Sequence, residues 1–101
     1  MEFDPTTGTF SLFRVDNCDL QTINIDDLSG YMDVNNSQVL LQNNPNLNVD
    51  QAVTDTNTNT SGGFTGRSFN IGGSCPAVSP GVVTSEITNG LIPKGVSVTY
   101  N

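Results

Sequence analysis

The sequence predicts an all-β domain, a small antiparallel β-sandwich of Ig-like or jelly-roll-like kind. Three observations carry that prediction. Short apolar runs recur with turn clusters every 8–12 residues or so, the spacing of sandwiches and small barrels. Residues that favour strands, Val, Ile, Thr and Phe, fill those runs. The closing stretch "GVSVTYN" (95–101) alternates Val96, Val98 and Tyr100 with small polar residues, the period of a half-buried strand.

The elements follow in order. "GTFSLFRVD" (8–16) reads as a first strand, with an apolar register that shifts between Leu12 and Phe13 and so suggests a bulge. "LQTINID" places Leu20, Ile23 and Ile25 before the turn "DDLSG". "YMDV" and "QVLLQ" read as two strands separated by the turn cluster "NNS", and "NNPN" (43–46) breaks the chain again before a short "LNV". A helical turn around "VDQAV" (49–53) is too short to carry weight, and "TDTNTNTSGG" (54–63), with nothing to bury, is expected to be an exposed loop. "GRSFNIGG" gives a strand centred on Phe69 and Ile71. In "SPGVVTSEITNG" (79–90), Ser79 and Pro80 would suit a helix start and Gly90 a helix end. The β-branched Val82, Val83, Thr84, Ile87 and Thr88 favour a strand, which is the expectation taken here. The alternative architecture is a short β-solenoid, with Ile23/Ile25, Met32/Val34, Val39/Leu41 and Leu47/Val49 as successive rungs.

With 101 residues the chain is expected to form one domain over residues 8–101, residues 1–7 being a disordered segment or the scar of a cloning site. The hydrophobic share is 35%, and neutral polar residues make up the balance, with 13 Asn, 12 Thr and 9 Ser. Ten acids against three bases give a formal charge of −7. Only Arg14, Arg67 and Lys94 could meet phosphate, so nucleic acid is not expected as a partner. No run of apolar residues is long enough for a membrane span. The start "MEFDPTTG" lacks the basic and apolar regions of a signal peptide.

The Lys-poor, Asn/Thr-rich composition suggests an exported protein, and with two cysteines that predicts a Cys18–Cys75 disulfide; the alternative is two buried free thiols. Closing such a loop would stabilise by roughly 4 kcal/mol in the chain-entropy model.

The chemistry available is narrow. Without histidine, His-based triads and His-metal sites are excluded within the chain. Paired carboxylates could in principle hydrolyse a glycoside, but that needs an aromatic-walled cleft and there is no Trp, so no enzymatic activity is expected. No cofactor is expected. Calcium is the possible exception, with Asp26, Asp27 and Asp33 in "DDLSGYMDVNN" as ligands. Tyr31, Asn35, Asn36 and Phe64 form a candidate ligand loop for a glycan.

"GTFSLFRVDNC" and "GVSVTYN" together resemble two features of fimbrial subunits of the chaperone–usher type: a disulfide leaving the first strand, and an alternating last strand with a penultimate tyrosine. The resemblance covers about a fifth of the chain and departs in the wide spacing of the cysteines, the short chain and the lack of an alternating segment before Gly8. It implies an Ig-like fold and a role in assembly. The absent catalytic residue types, the acidic and neutral-rich surface, the expected disulfide and the closing strand lead by elimination to the expectation of a non-enzymatic structural or adhesion domain of an extracellular filament, fimbria or particle surface, secreted or displayed on a cell or virion. Val96, Val98 and Tyr100 would form an assembly strand for subunits of the same or a related assembly. The alternative is a monomeric carbohydrate- or calcium-binding module using the Asp/Asn loops.

Overall fold

The computed structural model of the chain describes residues 2–4, 9–23 and 30–101. Among the described residues five strands form one sheet: β1 (Glu2–Asp4), β2 (Thr9–Arg14), β3 (Gln38–Leu40), β4 (Arg67–Ile71) and β5 (Val96–Tyr100). Their spatial order is their chain order. Only β1 and β2 are antiparallel; β2, β3, β4 and β5 all run the same way.

This overturns the antiparallel sandwich, and with it the Ig-like fold implied by the fimbrial resemblance. A parallel neighbour needs a long return path, where a hairpin needs two residues. The chain supplies that path three times. Phe13 stands beside Val39, Val39 beside Phe69 and Phe69 beside Val98, steps of 26, 30 and 29 residues. The last two returns contain helices, α1 (Val49–Thr58) and α2 (Pro80–Val82), the latter running straight into a π-helix (Val83–Leu91). The fold is therefore an α/β coil, each turn giving one strand and a return segment. The all-β rungs expected from residues 23–49 also fail: only Val39 touches a strand, while Met32 lies in a turn and Val49 opens α1. Ile25 lies outside the described residues.

The Asn- and Gly-rich turn clusters among the described residues are bends at the ends of strands β2 to β5. Asn36, Gly66 and Gly95 precede β3, β4 and β5 with φ of 65°, 72° and 90°; Asn17, Asn43 and Gly73 follow β2, β3 and β4 with φ of 56°, 61° and 63°. Asn and Gly are the residues that take this left-handed conformation most readily. At two of these bends glycine is also required by space. A Cβ on Gly66 would lie 2.1 Å from Asn36 Oδ1, and one on Gly73 would lie 2.0 Å from Asn43 Oδ1. Each asparagine bend thus nests against the glycine bend of the next turn.

The first half of the stretch expected to be a loop, residues 54–58, is the second half of α1. Asn48 caps it, its side chain accepting from Gln51 N at 3.3 Å. Val49, Ala52, Val53 and Thr56 are buried, at the spacing that puts them on one helical face. Thr54, Asp55, Asn57 and Thr58 are poor helix formers, so packing of that face holds the helix where propensity would not. Thr58 donates its hydroxyl to Thr54 O, and Thr56 shares a 3.0 Å hydrogen bond with the Tyr31 hydroxyl.

Residues 80–91 are helical, against the strand expected there. Pro80 opens the helix as its fixed φ favours. Ser79 does not cap it; its backbone N–H and its hydroxyl both donate to Asp50, in the first turn of α1. The wider π turn is closed by Ile92 N donating to Ile87 O. Gly90 lies so near α1 that a Cβ there would approach Asn57 Nδ2 to 2.5 Å. The two helices can meet this closely because that position has no side chain.

The core lies between helices and sheet. Val39, Leu41, Phe69, Ile71 and Val96 face Ala52, Val53, Ile87 and Leu91, with Tyr31, Met32 and Leu47 closing it from the loops. No helix among the described residues is long and apolar enough to cross a membrane.

Candidate functional site: the open sheet face and its free edge

Val39, Phe69 and Val98 point into the core side of the sheet, so their chain neighbours point the other way. The register aligns these neighbours in rows across four strands. One row is Leu12, Gln38, Ser68 and Ser97; the next is Arg14, Leu40, Asn70 and Thr99. Gln38, Ser97, Thr99 and Arg14 are exposed, and the others are half-buried. Arg14 Nε donates to Asp16 Oδ1 at 2.6 Å, which holds the Asp16 carboxyl below the usual carboxylate range.

The edges of the sheet differ. β1 forms one edge and β5 the other. Within β5, Val96 is buried, Val98 half-buried and Tyr100 38% exposed. Tyr100 and Ile92, at 53%, are the large exposed hydrophobics among the described residues, and both belong to this end of the coil. The strand has no charge, no proline and no bulge. Edge strands usually carry one of these, because an unpaired row of N–H and C=O groups otherwise invites a further strand. The nearest charge along the chain, the Lys94 ammonium, is held by Asn57 O and Oδ1 at 2.6 and 2.9 Å. The end of β5 is fixed within its own fold: Asn101 Nδ2 donates to Gly73 O and Cys75 O, and Asn101 O accepts from Val78 N. The closing strand therefore pairs within its own sheet, and no other strand among the described residues lies on its far side.

The candidate ligand-loop residues are each engaged with other residues of the fold. Asn35 Oδ1 accepts from Thr65 N, and Asn36 nests against Gly66. Phe64 lies 5.3 Å from the Arg67 guanidinium, and Tyr31 is buried against Thr56. Asp33 accepts from Ser61 N and stands 3.5 Å from Arg67 Nη1. Asp26 and Asp27 lie outside the described residues. Among the described residues no cluster of three acidic or cysteine side chains could hold a metal ion.

Two structural residues escaped the sequence reading. Arg67, 1% exposed, donates to Met32 O and to Lys94 O, joining the turns of the coil on either side of its own. Burial pushes its guanidinium below its ordinary value, and Asp33 opposes that shift. Asn44, fully buried, donates to Val15 O and Leu41 O and accepts from Leu20 N. The signal that could have found them is the spacing of the bends: Asn36 to Asn43 and Gly66 to Gly73 mark the same frame 30 residues apart.

The cysteines are not bridged. Cys18 is exposed and donates to Asp16 O at 3.3 Å; Cys75 is buried, donating to Leu41 O and accepting from Asn44 N. They occupy separate places in the fold, so an even count misled. The exported, adhesive character expected above finds no support in the fold. Treating the native protein with a thiol reagent should label Cys18 at once and Cys75 only on unfolding. Two equally fast thiols, or none, would contradict this arrangement.

Comparison with family models, curated proteins and solved structures found no match for this chain.

Proposed function

We propose that this chain is a non-enzymatic assembly domain whose β5 edge accepts a strand from a partner polypeptide. The observation that carries the reading is the uncharged, straight, proline-free edge strand beside the exposed Ile92 and Tyr100. Strand addition draws affinity from backbone hydrogen bonds and specificity from alternate side chains, and β5 offers both. The alternative of a glycan or calcium module has less to rest on, since Asn35, Asn36 and Asp33 are engaged in joining turns of the coil and Phe64 stacks on Arg67.

Sedimentation velocity from low micromolar to near-millimolar protein tests the proposal. The native chain should form larger species as concentration rises. Val98→Lys, which adds the charge that edge strands usually carry, should return it to a monomer. Tyr100→Lys, at a more exposed position, should do the same with less strain on the core. Association untouched by both variants would remove β5 as the interface.

A further inference from the structure

Resting on the proposed role of β5, we infer that its partner is a second copy of this chain, bound antiparallel about a two-fold axis at Val98. A two-fold interface is self-complementary: what one copy presents must suit itself reversed. Antiparallel pairing centred on Val98 sets Val96 beside the partner's Tyr100, Ser97 beside the partner's Thr99, and Val98 beside the partner's Val98. On the core side of the sheet every pair is then apolar, and on the open side every pair is hydroxyl to hydroxyl. Aromatic–aliphatic and Ser–Thr cross-strand pairs are among the favourable ones. Shifting the register by one residue would set Val beside Ser or Thr and lose both matches.

Charge selects the same edge. Seven of the ten acids precede residue 34, whereas residues 87–101 carry only Lys94. Two copies of a protein with a formal charge of −7 repel least where these near-neutral ends meet. The opposite edge, β1, is three residues long and two of them are acids, so it offers less pairing and like charge. Head-to-tail growth through β1 and β5 would pair three residues where β5 with β5 pairs five. The dimer would have one continuous sheet, with the exposed Tyr100 of each copy covered by Val96 of the other.

The test combines sedimentation with cross-linking, in a Cys18→Ser background that leaves only the buried Cys75. Val98→Cys should give a covalent dimer on oxidation with diamide, because the two Val98 positions face each other. Tyr100→Cys should give none, since two copies of that position lie four residues apart along the sheet. Sedimentation of the native chain should stop at a dimer, and Val98→Lys should abolish it. A chain monomeric at every concentration overturns the second copy as partner. Growth beyond a dimer overturns the two-fold arrangement. A dimer lost in Val98→Lys yet not cross-linked through Val98→Cys overturns this register while leaving β5 as the binding edge. A dimer that survives both Val98→Lys and Tyr100→Lys overturns the edge reading itself.

Discussion

Replacing Arg67 by alanine should lower the unfolding free energy by about 3–5 kcal/mol, the usual cost of deleting a large, fully buried side chain. The guanidinium donates to Met32 O and Lys94 O, stands 3.5 Å from Asp33 and lies beneath the Phe64 ring. Alanine leaves Asp33 without its cation and a cavity where the side chain was. Arg67→Met is the informative partner variant, because it keeps most of the volume. Met32 O would still accept from Val34 N, so the unmet group is chiefly Lys94 O. A loss of about 1–3 kcal/mol is expected for it, the cost of one stranded buried acceptor. Urea unfolding of the three proteins measures both differences. If Arg67→Met equals the native protein, the guanidinium contributes packing and no net polar stabilisation.

Asn44→Ala should cost roughly 2–4 kcal/mol, because the stranded groups are backbone and cannot turn away. Asn44 Nδ2 lies 2.7 Å from Val15 O and 2.8 Å from Leu41 O, while Oδ1 takes the Leu20 N–H at 3.0 Å. Leu41 O keeps the Cys75 thiol; Val15 O and Leu20 N lose the partner that Asn44 gives them. Asn44→Asp separates hydrogen bonding from size. It can still accept from Leu20 N, but at neutral pH it turns a carboxylate toward two carbonyl oxygens. Its loss should match or exceed that of alanine. An aspartate variant as stable as the native protein would show that the donor side of Asn44 is unimportant.

Strands β3, β4 and β5 were legible because each has one buried face. Val39 and Leu41, Phe69 and Ile71, and Val96 and Val98 alternate with polar neighbours, and alternation survives whichever way the next strand runs. Direction was not legible. An Asn-rich bend that ends a hairpin and one that sends the chain into a return path use the same residue for the same reason, its tolerance of positive φ. The helices were hidden by composition: α1 contains Thr54, Thr56 and Thr58, and residues 80–91 contain three β-branched residues in a row. Both are held by burial against the sheet and against each other, which no local rule records. The asparagine count looked like surface polarity, yet Asn35, Asn43 and Asn44 accept backbone N–H groups from neighbouring turns. The position of Val96, Val98 and Tyr100 on one strand could be read in advance. The role of Arg67 could not, because its partners lie 35 and 27 residues away.

A coil whose turns touch only their neighbours can fray from an end, one turn at a time, since its stability is close to a sum of local parts. Arg67 links three turns at a single buried charge. Peeling away the turn that holds Lys94 strips the guanidinium of an acceptor, and peeling away the one that holds Met32 and Asp33 strips it of its counter-ion. Partial unfolding from either side therefore exposes the same penalty. The central turns are bound to melt as one cooperative unit, which keeps intermediates with naked strand edges scarce.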